Sequence, residues 1–181
     1  MRTVVYSMSM SLDGYVNAPD GSFDWSVPDE ELHRFHNDRV REQTLQLCGR
    51  RLYELMRYWE TDDETWGPVE HDFAAVWRAL PKVVFSSTLT AADLGPNARL
   101  AEGSPADEVR AIADGVVGVG GATLAAPLAR EGLIDEYHVF LCPVLVGGGT
   151  PFFAPGVPLT PLTLVGQRAF AGGVTHLRYR R

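Results

Sequence analysis

Residues 116–153, VVGVGGATLAAPLAREGLIDEYHVFLCPVLVGGGTPFF, carry the strongest indication of architecture in this chain of 181 residues. They open with a short apolar run that is typical of a buried strand. Gly118, Gly120 and Gly121 lie within and directly after that run. Apolar residues then recur at helical spacing over residues 122–133. The glycines are therefore predicted to lie at a strand-to-helix turn.

This turn is suited to a phosphate group. Gly120 and Gly121 have no Cβ atom, so the oxygens of a ligand can approach the backbone closely. The free N–H groups of the helix start, at Ala122 and Thr123, and the positive end of the helix dipole attract an anion. The spacing differs from G-x-G-x-x-G, because position 123 is threonine. We predict a nucleotide pyrophosphate site; the alternative is a tight turn that only allows close helix–strand packing.

Composition and charge narrow the class of protein. Hydrophobic residues make up 45% of the chain and charged residues 22%, which is ordinary for a soluble globular protein. The length predicts one domain over residues 1–181. A net charge of -7 argues against nucleic acid as a partner. Cys48 and Cys142 lie in apolar runs and are predicted to be buried free thiols. With neither a membrane-spanning stretch nor a signal peptide in the pattern, we expect a cytoplasmic protein.

Strand and helix patterns alternate along the chain. Strands are predicted at residues 3–8, 45–48, 82–86, near 100, at 116–120 and at 136–142. Helices are predicted to begin at residues 28–29, 49–50, 70, 107 and 122. Residues 162–170 and 174–179, separated by Ala171-Gly172-Gly173, are predicted to form a closing antiparallel hairpin. The pattern predicts a mixed, mainly parallel sheet that is flanked by helices.

Four motifs occur in one order along the chain. They are MSLDGY at 10–15, CGRRLYE at 48–54, KVVFSSTL at 82–89, and VGVGGATL at 117–124 with GLIDEYHVFLCPVLVGGGTPFF at 132–153. The ordered set resembles the dihydrofolate reductase-like superfamily, in particular the branch of the riboflavin-biosynthesis reductase C-terminal domain. The resemblance covers nearly the whole chain. It implies a three-layer α/β fold, NADPH bound in an extended pose across the sheet, hydride transfer to a heterocycle, and a homodimer formed through the final strands.

Two further segments are candidates for contact with the cofactor. Backbone N–H groups and a guanidinium converge on an anion where Gly49, Arg50 and Arg51 join a strand to a helix. In the family the matching helix start binds the cofactor's phosphates, although this chain has Leu52 where members with dihydrofolate reductase activity usually have threonine. The alternative is a surface Arg pair without a ligand.

Hydroxyl groups end the central strand of KVVFSSTL at Ser86 and Ser87. At this position they can hold a ribose or its 2′-phosphate, which would favour NADPH over NADH. The same residues are also common in turns and helix caps. The full predicted cofactor set is Gly49, Arg50, Arg51, Ser86, Ser87, Gly120, Gly121, Ala122 and Thr123.

Three acidic residues are candidates for substrate chemistry. Asp13 ends the first strand, near where the family places the nicotinamide, but Asp before Gly is also an ordinary turn residue. Glu31 lies four residues before Phe35 on one helix face, and the pair resembles the pterin-binding acid and aromatic of dihydrofolate reductases. Acids in a first helical turn are also common for dipole reasons alone. Asp24 precedes Trp25, which could stack on a planar substrate ring or belong to the core.

Other side chains give weaker indications of a substrate pocket or a metal site. Tyr53, Met56, Tyr58 and Trp59 follow the Gly-Arg helix start, and such a stripe is more often core than pocket wall. His33 and His36 share a helix side and are expected to be solvated. No histidine, cysteine or carboxylate spacing predicts a metal site.

The chain also departs from the riboflavin reductase pattern. It has no Ala-Asp-Asp-Pro-like segment, which in the family holds the ribityl-pyrimidine substrate, and no zinc signature of the deaminase domain that is often fused upstream. We therefore expect an NADPH-dependent reductase of a small pterin- or pyrimidine-like heterocycle. The alternatives are a true dihydrofolate reductase, which a functional Glu31 would support, and a nucleotide- or pterin-binding protein without turnover.

Overall fold

The computed structural model describes residues 1–181 and contains eight strands and five α-helices. The strands are β1 (Arg2–Ser11), β2 (Leu45–Gly49), β3 (Lys82–Phe85), β4 (Ala98–Leu100), β5 (Gly115–Gly120), β6 (Glu136–Cys142), β7 (Thr163–Ala169) and β8 (Thr175–Arg180). The helices are α1 (Glu30–Arg41), α2 (Arg50–Met56), α3 (Pro68–Ala79), α4 (Pro105–Ala111) and α5 (Ala122–Arg130). Short 3-10 turns occur at Asp24–Ser26, Arg57–Glu60 and Ala91–Asp93.

All eight strands form one sheet in the order β4-β3-β2-β5-β1-β6-β8-β7. The first six strands in this order are parallel, and β8 pairs antiparallel with both β6 and β7. The mixed, mainly parallel sheet and the closing hairpin confirm the predicted fold class. No helix in the structure combines the length and the apolar character that crossing a membrane requires.

Local capping explains where the helices begin. The Asp29 carboxylate accepts a hydrogen bond of 2.9 Å from the Leu32 amide and so caps α1. Ser104 and Asp107 form a reciprocal capping box at the start of α4. This box moves α4 two residues earlier than predicted from apolar spacing. Pro68 likewise begins α3 ahead of its predicted start, because proline is well suited to a first helical position.

Helices cover both faces of the sheet, so the molecule has three layers. Under α4 and α5, alternate strand residues such as Val4, Tyr6 and Val117 pack with Leu128 into the largest hydrophobic cluster. On the other face, α2 and α3 cover β2 and β3, while α1 packs with Phe140 of β6 and Phe170 near the hairpin. Apolar packing on this second face is therefore split into two smaller clusters.

A buried ionic network lies on the second face at β6. The Glu136 carboxylate accepts hydrogen bonds from Arg178, Arg180 and His138, with its closest contact 2.7 Å from Arg178 Nε. Burial raises the pKa of Glu136, but the hydrogen bonds from these three partners outweigh burial and lower it to about 2. The network ties the closing hairpin to the parallel part of the sheet. Cys48 and Cys142 are both buried and unpaired, as predicted.

Candidate functional site

Four neighbouring parallel strands, β3, β2, β5 and β1, end at the same edge of the sheet. Ser86 follows β3, Arg50 follows β2, Gly121 follows β5, and Asp13 lies two residues after β1. The topology therefore brings together the three segments predicted to contact a cofactor, residues 49–51, 86–87 and 120–123. Ligands of open α/β sheets bind at the carboxyl ends of the strands, which is this edge.

The glycine turn between β5 and α5 has two different kinds of glycine. Gly121 has φ +101°, and a Cβ atom at this position would meet nothing within 4 Å. No side chain caps α5, so the first-turn N–H groups remain available. At Gly120, by contrast, the space of a Cβ atom is already filled by the Leu52 side chain. Gly121 is therefore open to a ligand, whereas Gly120 allows close packing between β5 and α2.

The β2–α2 junction presents one free cation. Arg50 forms an ion pair of 3.1 Å with Glu54, one helical turn along α2. Arg51 is exposed and makes no ion pair or side-chain hydrogen bond. Gly49 has open space where a Cβ atom would lie. Of the two arginines, Arg51 is the one whose guanidinium has no partner within the protein.

The hydroxyl groups after β3 have unequal roles. The Ser86 oxygen accepts hydrogen bonds from the amides of Thr88, at 3.1 Å, and Leu89, at 2.9 Å. Ser86 therefore closes a turn, which is the alternative that its sequence context allows. Ser87 is exposed and makes no side-chain hydrogen bond.

Asp13 joins two loops at the edge. Its carboxylate accepts hydrogen bonds from the amides of Val146, at 3.2 Å, and Gly147, at 2.7 Å. Hydrogen bonding from Ser11 and from these amides lowers the pKa of Asp13. The close approach of the two loops also explains Gly149, where a Cβ atom would collide with the backbone of Asn17. The Gly-Gly-Gly motif at 147–149 thus serves loop packing beside β1.

The other residues predicted to contact substrate, Glu31, Asp24 and Trp25, do not line the central cavity between the sheet and the helices. Glu31 forms an exposed ion pair of 2.7 Å with Arg168 on the closing hairpin. Phe35 does share its helix face with Glu31, but that face packs on Phe170 and Phe140. Asp24 is exposed and Trp25 is partly buried in the 3-10 turn before α1. The pterin-type arrangement of Glu31 and Phe35 is therefore directed at the hairpin.

A cavity of about 270 Å³ lies between the sheet and helices α1, α2 and α3. Its lining comprises Ser7, Met8, Ser9, Pro28, His33, His36, Val40, Gln43, Gln46, Leu52, Met56, Trp59, Phe73, Trp77, Val119, Gly120 and Phe140. The cavity exists because small or polar residues occupy the second face of the central strands, where larger apolar residues would fill the layer. Its Gly120 border places it next to the edge at which β5 ends.

The expectation that His33 and His36 are solvated is wrong. His33 is 8% exposed and packs against Trp59 and Phe73. His36 packs against Phe140, with ring centroids 4.3 Å apart. Burial lowers the pKa of His33, and it lowers that of His36 to about 4, so both imidazoles are neutral at pH 7.

The aromatic stripe after Arg50 divides between core and cavity. Tyr53 is buried in the core, and its hydroxyl accepts a hydrogen bond from the Gly95 amide. Met56 and Trp59 line the cavity, while Tyr58 is exposed and accepts a hydrogen bond from the Trp66 indole. Spacing on the helix could not separate these roles, because they depend on where α3 packs.

The cavity floor is the part of the site that sequence reasoning missed. Ser7 and Ser9 line it from β1, and Gln46 lines it from β2. A signal was present, since serine at every second position of a central strand places polar groups on one face. The structure contains no cluster of three or more His, Cys, Asp or Glu side chains that could hold a metal ion.

Comparison with known proteins identifies a matching family and two similar bacterial proteins. Residues 2–176 match the RibD C-terminal domain family. Two uncharacterized proteins of Bacillus subtilis (strain 168) are similar over almost their whole length. YyaP is 25% identical over 98% of this chain and 94% of its own, and YwjB is 27% identical over 99% and 98%.

Solved structures share the fold. A candidate riboflavin biosynthesis protein of Shewanella sp. PV-4 superposes with a TM-score of 0.76 at 22% identity, over 100% of this chain and 99% of its own. RibD of Acinetobacter baumannii gives a TM-score of 0.69 at 15% identity, and the match covers 99% of this chain but 58% of that larger protein. At these identities the likeness establishes the fold alone. By the match over residues 2–176, the chain belongs to the RibD C-terminal domain family.

Proposed function

We propose that this protein is an NADPH-dependent reductase that transfers hydride to a small heterocyclic substrate. The observation that carries the proposal is the adjacency of two features: an open, glycine-rich edge with a free arginine, and a cavity lined by aromatic side chains. The family and its reductase-like fold support the same activity.

The residues at the edge fit a dinucleotide. Open backbone at Gly121 and Gly49 leaves room for phosphate oxygens that a Cβ atom would exclude. The free N–H groups at the start of α5, at Ala122 and Thr123, would hold one phosphate, and Arg51 would hold another. Ser87 would reach the ribose or its 2′-phosphate. Gly120, Arg50 and Ser86 would contribute through the shape of the turns that they build.

When bound, reduced nicotinamide supplies the hydride, and the chain's own residues orient the acceptor and exclude water. Trp59 and Phe140 offer flat apolar walls, and Ser7, Ser9 and Gln46 offer polar atoms below. His33 and His36 are the only titratable side chains in the cavity lining. Asp13 acts through the loop that it holds next to this edge.

Calorimetric titration with NADPH and NADH tests the cofactor site. We expect NADPH to bind more tightly, and Gly121→Val to weaken its binding by at least about tenfold, because a branched side chain would occupy the open turn. Arg51→Ala should weaken NADPH more than NADH if its guanidinium faces the 2′-phosphate. Arg34→Ala, on an exposed arginine paired with Glu30 on α1, is the matched control. Binding of neither nucleotide would reject the proposal.

A nucleotide-binding protein without turnover is the second candidate. The observation that favours it is the absence of any carboxylate from the cavity lining. Cofactor binding without substrate-dependent oxidation of NADPH, across pterin and pyrimidine acceptors, would support this candidate over the reductase.

We also propose that a second copy of the chain covers the edge strand β7. All seven residues of β7 are exposed or half-exposed, and they include Leu164 and Val165. An uncovered apolar edge strand favours strand pairing with another chain. Light scattering should show a dimer that Val165→Lys converts to a monomer; a monomeric parent protein would reject this arrangement.

A further inference from the structure

The central cavity has no acidic or basic side chain of fixed charge in its lining. None of its 17 lining residues is Asp, Glu, Lys or Arg. Trp59, Phe73, Trp77 and Phe140 supply aromatic surface. Its volume of about 270 Å³ lies near the lower end of small-molecule sites, which begin at about 300 Å³. The space suits one planar ring system rather than an extended chain.

The two histidines provide unused hydrogen-bonding atoms. Neither His33 nor His36 forms a side-chain hydrogen bond within the protein, although both line the cavity. Ser7 likewise forms no side-chain hydrogen bond. A neutral imidazole carries one donor and one acceptor, so it can match the edge of a heteroaromatic ring. The cavity therefore offers polarity without charge.

A polar chamber next to the cavity contains cations, and each of them is paired with a carboxylate. The chamber shares Ser7 and Gln43 with the cavity and contains three arginines. Arg39 of α1 pairs with Glu42, directly after the helix, and Arg178 and Arg180 both pair with Glu136. These carboxylates partly neutralise the three guanidinium groups, and none of the three arginines lines the cavity itself.

We propose that the cavity binds an uncharged planar heteroaromatic ring and rejects rings that carry a carboxylate or phosphate. An unpaired anion in this lining loses its hydration without gaining a cationic partner, whereas a neutral ring loses little and gains aromatic contacts. The substrate would thus differ from that of a 5-amino-6-(5-phosphoribosylamino)uracil reductase, the name borne by a structural neighbour from Thermotoga maritima. The ring's role as hydride acceptor rests on the proposed function, but its binding does not.

The experiment uses matched pairs of probes that differ in one charge. The neutral members are 6-methylpterin, 6-methyluracil and 2-methylquinoxaline, and the anionic members are pterin-6-carboxylate, orotate and quinoxaline-2-carboxylate. Calorimetry at pH 7 measures each one with and without NADPH. We expect at least one neutral member to bind, and its anionic counterpart to bind at least about tenfold more weakly.

Two variants locate the effect in the cavity. His36→Phe keeps an aromatic ring but removes both nitrogens, and it should weaken the neutral probe by up to about tenfold. His71→Phe, on an exposed histidine of α3 outside the cavity, should not. Met56→Lys adds an ammonium group to the half-buried border of the cavity, and it should improve binding of the anionic probe relative to the neutral one.

The outcomes separate this inference from the proposed function. Selective binding of a neutral probe by a protein that binds no NADPH would uphold the cavity chemistry and reject the reductase. Binding of NADPH together with equal or tighter binding of the anionic probes would reject the cavity chemistry alone. Failure of all three neutral probes to bind, by a protein whose circular dichroism shows it to be folded, would also overturn the inference.

Discussion

The two faces of the sheet are built from alternate residues of the same strands, yet they pack very differently. Toward α4 and α5, Val4 and Tyr6 of β1 join the continuous apolar cluster. On the opposite face, toward α1, Ser7 and Ser9 of β1 border a cavity. One face therefore concentrates buried apolar area, which stabilises the fold, and the other keeps polar atoms and space, which a ligand can use.

The largest expected difference between the two faces is in the cost of removing a leucine. Leu128 of α5 is fully buried, so Leu128→Ala should lower the free energy of unfolding by about 3 kcal/mol. Leu52 of α2 is half-buried beside the cavity, and Leu52→Ala should cost only about 1 kcal/mol. Urea denaturation of both variants measures this. Equal losses would show that the cavity face is as tightly packed as the other.

The ionic network on the cavity face gives the next effect. Glu136→Gln leaves Arg178, Arg180 and His138 without their shared carboxylate, and it should cost about 3 kcal/mol at pH 7. Glu30→Gln, in an exposed pair with Arg34, is the control and should cost less than about 0.5 kcal/mol.

The pH dependence of this network has a defined sign. The folded pKa of Glu136, about 2, lies below its ordinary value of 4.5. Its stabilising contribution is therefore complete above pH 4.5 and is lost as the pH falls toward 2. The difference in unfolding free energy between the parent protein and Glu136→Gln should shrink between pH 5 and about pH 3. A difference that stays constant over this range would show that the ionised Glu136 carboxylate is not what stabilises the network.

The smallest expected effect concerns Glu31. Its ion pair with Arg168 is about half exposed on both sides, so Glu31→Ala should change stability by no more than about 0.5 kcal/mol. Binding of a neutral pterin probe should be unchanged, because Glu31 does not line the cavity. A tenfold loss of pterin affinity in this variant would restore the dihydrofolate reductase alternative.

Much of the fold was predictable because its signals are local. The strand-to-helix turn at Gly121, the hairpin around residues 171–173 and the apolar runs of the parallel strands all depend on neighbours within a few residues. Helix starts were less accurate where a capping residue, such as Ser104, decided the boundary in place of apolar spacing.

The site was only partly predictable. The three segments proposed for the cofactor could be selected one at a time, since each follows a strand with glycine, arginine or serine. Which residues of each segment are open to a ligand could not be predicted, because Leu52 fills the space at Gly120 and the Ser86 hydroxyl closes its own turn. These outcomes depend on contacts that no single segment encodes.

By itself, then, the sequence determined the order of elements, the mainly parallel sheet and the glycine turn. These features follow from backbone preferences and from the spacing of apolar residues, both of which are set by residues close together in the sequence. Only the tertiary structure decided that Glu31 faces the hairpin while His33 and His36 face a cavity. All three residues lie within six positions on α1. Their different environments arise from how α1 packs against β6 and α3, and a helix's own periodicity does not specify which neighbour will cover each side.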